Sequence, residues 1–151
     1  MRPTTITYPP NGVKPIGVME FVHGMCETRQ RYAETMKYFN NKGFICAISD
    51  TRGHGENILT KEDLGYFGEE GYKGLIDDVH EFTMFLRREF PHLPLILIGH
   101  SMGSLIVRAY LKKNSREVEA VVLSGSPSYN RFVWVAKYFT RFLALFRGWH
   151  Y

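Results

Sequence analysis

Short apolar runs alternate along this chain with longer stretches whose apolar residues recur every three or four positions, the pattern of a parallel sheet wrapped by helices. Gly17 to Val22 reads as a strand that runs into His23-Gly24. Arg29 to Asn41 reads as a helix, with Tyr32, Ala33, Met36 and Phe39 on one face and Gly43 as its stop. Phe44 to Ser49 is a buried strand ending at Asp50. Leu75 to Phe90 is a helix with Leu75, Val79, Phe82, Leu86 and Phe90 as its apolar stripe, ended by Pro91. Leu95 to Ile98 is the most apolar strand, as a central parallel strand should be. A helix over Met102 to Lys113 and a strand over Ala120 to Ser124 follow.

Two features break the pattern. Glu20 sits inside an apolar strand, where an unpaired carboxylate is costly, so it must reach solvent or a partner. Residues 51–73 form a long, glycine-containing connection with neither period. Loops of that length are uncommon unless they serve a site, so this one is either a solvated excursion or a wall facing substrate.

The 151 residues suit a single core, and the net charge of +4 is confined to the end of the chain. From Tyr129 onward there is no acidic residue, while Arg131, Lys137, Arg141 and Arg147 contribute four positive charges; the remainder is neutral, since 4 − 4 = 0. No basic stripe marks the body, so nucleic acid is not an expected partner. Two cysteines, Cys26 and Cys46, make no disulfide framework, and the opening MRPTTITYPPNG carries no apolar run of the signal-peptide kind. These features lead to an expected cytoplasmic location.

The chemistry is carried by Gly99-His100-Ser101-Met102-Gly103, a G-x-S-x-G pentad entered by an apolar strand and left by an amphipathic helix. That context defines a nucleophile elbow: a tight, strained turn lifts the serine oxygen clear of the backbone at the carboxyl end of the sheet. Ser101 is therefore the candidate catalytic residue. Acyl transfer also needs two backbone N–H groups aimed at the tetrahedral oxyanion, one from the residue after the nucleophile and one from an upstream strand-exit loop. These requirements assign the amides of Met102 and Met25, with His23 and Gly24 supporting the loop. His100 points away from its neighbour at such an elbow, and His80 and His92 fall in a helix and a turn. Cys26 reads as an inert small residue beside the site.

With these residues in hand, HGMCE at 23–27, DTRGHG at 50–55 and GHSMGS at 99–104 resemble the monoacylglycerol lipase and lysophospholipase branch of the α/β-hydrolases, in order and spacing from Gly17 to Pro127. The resemblance implies an α/β-hydrolase fold, a mostly parallel sheet with helices on both faces. It implies a Ser-His-Asp esterase acting on monoacylglycerols, lysophospholipids or similar single-chain esters, with no cofactor and no metal. It makes DTRGHG a structural turn, so His54 is not expected to be catalytic.

In this fold the acid and the histidine follow the serine in the chain. After Ser101 the acids are Glu117 and Glu119, and the histidine is His150, next to last. Neither is placed to complete a triad, so the chain is expected to be an N-terminal part, truncated before the last strands and inactive by itself. Residues 1–128 then form the first part of the core, and 129–151 begin a cap. Across 130–149, Lys137, Thr140 and Arg141 share one side and Phe132, Val135, Phe139, Phe142, Leu143 and Phe146 the other. Such a helix either contacts a membrane interface or packs on further protein, a complementary chain or another copy. Two rivals to the esterase remain open: a non-catalytic binding module or half of a split hydrolase, and amide or peptide hydrolysis on the same scaffold.

Overall fold

The computed structural model describes residues 2–128 and 132–147. Five strands make one sheet: β1 (Thr4–Thr7), β2 (Gly17–Val22), β3 (Phe44–Ser49), β4 (Leu95–His100) and β5 (Ala120–Ser124). Their spatial order is β1-β3-β2-β4-β5, with β1 antiparallel to β3 and every other pair parallel. The helices are α1 (Ala33–Asn40), α2 (Tyr72–Glu89), α3 (Met102–Asn114) and α4 (Val133–Arg147).

Alternation along the strands builds two cores. Val18, Val22, Ala47, Leu95 and Leu97 point to one face, where Leu75, Val79, Phe82 and Leu86 of α2 and Ile106, Val107 and Tyr110 of α3 cover them. Met19, Phe21, Cys46 and Ile48 point to the other, against Met36 of α1. The expected α/β architecture, with helices on both faces, is the one found. All six residues of β2 are buried, as a strand covered on both faces requires.

Three details differ from the sequence expectation. The polar stretch TTIT forms β1, a half-buried edge strand without the apolar signal of the others. The helix expected from Arg29 opens as a 3₁₀ turn, Arg29–Tyr32, because the Arg29 amide and guanidinium both turn to the buried Asp50 carboxylate. Residues 51–73 include two 3₁₀ turns, Gly55–Asn57 and Lys61–Asp63, and α2 begins at Tyr72 rather than Leu75.

That connection is pinned rather than loose. Arg52 makes a two-pronged ion pair with Asp78 at 2.8 and 2.9 Å and reaches Glu70 at 2.7 Å. Asn57 Nδ2 donates to the carbonyls of Asp50 and Thr51.

The far edge is bare. Among the described residues β5 pairs with β4 alone, and all five of its residues are exposed, Val122 at 48%. On α4, Trp134, Phe139, Phe142 and Phe146 are also exposed. An uncharged, β-branched edge is a template for strand pairing. A polypeptide limited to these 151 residues is therefore expected to elute above its monomer mass in size-exclusion chromatography with light scattering. Val122→Lys should shift it toward monomer. A monodisperse wild-type monomer would contradict the expectation. Among the described residues, no helix is long and apolar enough to cross a membrane.

Candidate active site

Ser101 sits between β4 and α3 with φ 51° and ψ −116°, a conformation that costs a non-glycine residue about 1–3 kcal/mol. It is held from both sides. Its amide donates to the Ser124 carbonyl at 2.9 Å, and its carbonyl accepts the Ser104 hydroxyl at 2.6 Å and the Ser104 amide at 3.0 Å. The expected strained strand-to-helix turn is present, and β5 is one of its anchors.

The glycines of the pentad are required by contact. A Cβ on Gly99 would come within 2.7 Å of the Gly103 carbonyl oxygen, and one on Gly103 within 2.1 Å of the Val22 carbonyl oxygen and 2.7 Å of that of His23. The obstacles are backbone atoms, of α3 for Gly99 and of β2 and its exit for Gly103, so they cannot rotate aside. Gly103→Ala is expected to cost at least about 3 kcal/mol, or roughly 10 °C in midpoint, read in a thermal melt. A variant melting within two or three degrees of wild type would show that the turn yields.

The same closeness brings the loop after β2 to the serine. A Cβ on Gly24 would lie 3.1 Å from Ser101 Cβ, so Met25 follows a residue in contact with the elbow. Met102 opens α3, where a helix amide has no intrahelical acceptor and the helix dipole is positive. Among the described residues, the backbone hydrogen bonds outside helices and strands include none donated by Met25 or Met102.

His23 is fully buried beneath this loop. Its Nε2 accepts the Thr51 amide at 3.0 Å, so Nδ1 carries the proton and donates to the Gly24 carbonyl at 2.8 Å. Burial pushes its pKa down despite the Gly24 bond, which keeps the ring neutral. His23 therefore ties the loop after β2 to residue 51. His54 Nδ1 donates to the Arg52 carbonyl at 2.9 Å, and its ring stacks on Phe67, 6.3 Å between centroids. These contacts hold the ring within the 51–73 connection.

Glu27 was not singled out by sequence reasoning, and the structure places it at the centre of the loop. Its Oε2 accepts the Gly24 amide at 2.8 Å and the Tyr32 hydroxyl at 2.9 Å, while Oε1 lies 3.2 Å from Arg31 Nε and 3.8 Å from His100 Nε2. Burial raises its pKa, but the Gly24 and Tyr32 bonds and the Arg31 charge outweigh that and hold it below the usual carboxylate range. The available signal was its spacing, three residues after Gly24.

Beside the loop opens a cleft of about 620 Å³, lined by Met25, Cys26, Glu27 and Thr28 on one side and by His54, Ile58, Leu64 and Phe67 on the other. The 51–73 connection supplies its far wall. Glu119 is committed elsewhere, accepting the Leu95 amide at 2.6 Å and Arg87 at 2.8 Å. His150 lies outside the described residues. Among the described residues, no group of three or more His, Cys, Asp or Glu side chains is arranged to hold a metal ion.

Residues 13–150 match the family described as serine aminopeptidase, S33. The chain belongs to this family. It is an α/β-hydrolase similar to the N-terminal part of the monoacylglycerol lipases. It is 34% identical to the monoacylglycerol lipase of Mycolicibacterium smegmatis over 116 residues, 77% of this chain and 39% of that protein. Among solved structures, a thermostable carboxyl esterase from Bacillus coagulans superposes with a TM-score of 0.80 at 30% identity, over 96% of this chain and 46% of that one. A monoglyceride lipase from Saccharomyces cerevisiae has the same fold, with a TM-score of 0.77 at 22% identity, over 95% of this chain and 48% of that one. The chain thus spans less than half the length of each of these proteins.

Proposed function

We propose that this chain carries the nucleophile and oxyanion-binding part of a serine ester hydrolase acting on single-chain lipid esters of the monoacylglycerol or lysophospholipid type. The observation that carries the reading is Ser101 in a strained turn at the mouth of α3, in contact with the Gly24-Met25 loop. Ser101 Oγ attacks the ester carbonyl carbon while its proton passes to a histidine. The carbonyl electron pair moves onto oxygen, where the Met25 and Met102 amides receive it. Collapse expels the alcohol, which takes the proton from the histidine. Water then releases the acid by the same steps and restores the serine. The cleft lined by Ile58, Leu64 and Phe67 suits the apolar part of such an ester.

Chain order puts the acid and histidine of such a triad after Ser101. A polypeptide limited to residues 1–151 is expected to show no Ser101-dependent turnover of a nitrophenyl ester. The complete gene product should hydrolyse monoacylglycerols, with a fluorophosphonate adduct mapping to Ser101 by peptide mass spectrometry. The alternative is a non-catalytic binding module on the same scaffold. A complete gene product that binds monoacylglycerol but leaves Ser101 unlabelled would decide for that alternative.

A further inference from the structure

We infer that Glu27 is a positioning residue for the oxyanion loop, closing the turn that aims the Met25 amide; this rests on the serine hydrolase reading. The turn needs closing. Cys26 lies at φ 59°, a left-handed conformation that disfavours any side chain, and it directly follows Met25. Nothing in a Gly-Met-Cys sequence would hold that geometry unaided. Glu27 does so by bending back to its own loop: Oε2 accepts the Gly24 amide at 2.8 Å, enclosing Met25 and Cys26 between the two ends of the clamp.

The carboxylate is itself held in place. The Tyr32 hydroxyl donates to the same oxygen at 2.9 Å, from the turn that leads into α1, and Arg31 Nε stands 3.2 Å from the other. With its side chain only 9% exposed, Glu27 has a partner on each of its oxygens. That occupancy argues against a proton-transfer role, which needs a free lone pair aimed at the reacting atoms. The geometry is tight toward the serine as well. A Cβ on Gly24 would meet Ser101 Cβ at 3.1 Å and Glu27 Oε2 at 3.2 Å, so the Gly24 backbone lies between the clamp and the elbow. His100, the residue before Ser101, approaches Glu27 Oε1 at 3.8 Å, a second link between the two halves of the site.

A carboxylate this close to a developing oxyanion would by itself oppose the reaction, so its presence needs a compensating use. Arg31 offsets the charge, and fixing the amide supplies the use. An oxyanion donor acts through preorganisation: losing one costs about a hundredfold to a thousandfold in kcat, and loosening one costs part of that. Ground-state binding of the ester, which does not depend on the oxyanion contact, should be spared.

The test is ester kinetics on the complete gene product with Glu27→Ala, Glu27→Gln and Ser101→Ala side by side. Glu27→Ala should lower kcat by roughly tenfold to a hundredfold with KM within about twofold. Glu27→Gln keeps an oxygen acceptor for the Gly24 amide and should recover most of that loss. In the wild-type protein the Gly24 amide proton should resonate downfield and move upfield in Glu27→Ala, which NMR reads without turnover. Should Glu27→Ala fail to fold, Glu27→Asp carries the same test, since it keeps the charge but cannot span the turn, and kcat should fall as for alanine. If Ser101→Ala abolishes turnover while Glu27→Ala leaves kcat within about twofold, the positioning role falls alone and the serine reading stands. A rise in KM with kcat unchanged would make Glu27 a substrate contact and also overturn it. If turnover survives Ser101→Ala, both readings fall together.

Discussion

Replacing Ser101 with alanine in the complete gene product is expected to cut ester turnover by at least about a thousandfold, with the loss in kcat and little change in KM. The physical reason is that the serine oxygen forms the bond that breaks the reaction into two easier steps, and no neighbouring side chain can substitute for it. Cys26 is the one thiol lining the cleft, and nothing among the described residues activates it: no cation or base bonds its sulfur. A second readout isolates the strain. At φ 51° and ψ −116° a glycine meets no Cβ penalty, so Ser101→Gly should raise the thermal midpoint even as it abolishes activity. Alanine should not share that gain. Thermal melts of the two variants, run beside kinetics on monoacylglycerol, check both parts. Ester turnover that persists in Ser101→Ala would remove the serine from the chemistry. A Ser101→Gly variant no more stable than Ser101→Ala would mean the elbow is relaxed.

What the sequence made legible were features with a local signature. The apolar run LILI, the tight pentad and the amphipathic helix behind it lie within twenty residues of one another, and each dictates its own conformation. The apolar runs of β2 and β3 were equally plain, because strands buried on both faces must be apolar. β1 was missed for the opposite reason: TTIT is half-buried at an edge, so solvation leaves it free of the apolar pattern. The 3₁₀ opening before α1 depends on Arg29 meeting Asp50, twenty-one residues away, and no local period reports such a contact. Glu27 fell between these cases. Its clamp is local, but a glutamate after a glycine-containing turn looks like any solvated residue until the Tyr32 and Arg31 contacts fix it. The sequence left 51–73 open between a solvated excursion and a wall because its order comes from distant ion pairs of Arg52 rather than from period.

Glu20 is where the sequence posed a question that the structure answers with a pH dependence. The side chain is 1% exposed on the α2/α3 face of β2, between Val18 and Val22, and its Oε2 accepts the Thr83 hydroxyl at 2.8 Å. The Tyr110 hydroxyl is buried close by, and burial pushes its pKa up to about 12. Among the described residues no cation pairs with the carboxyl, and burial raises it from 4.5 to about 8, with the Thr83 bond offsetting only part. The carboxyl is therefore protonated in the fold at neutral pH. Because the folded value lies above the unfolded one, the contribution of Glu20 to stability is fullest below 4.5 and is lost as pH rises toward 8. At about 1.4 kcal/mol per unit, the cost at pH 7 is about 3 kcal/mol. Glu20→Gln keeps the oxygen that accepts from Thr83 and cannot ionise. Urea unfolding should place the two proteins close together near pH 4.5, because the amide replaces the protonated acid at little cost. By pH 8 the Glu20→Gln variant should be the more stable by a few kcal/mol, with its own profile flatter across that range. Parallel pH profiles for the two proteins would mean that Glu20 is ionised in the fold and paired with a group not found beside it.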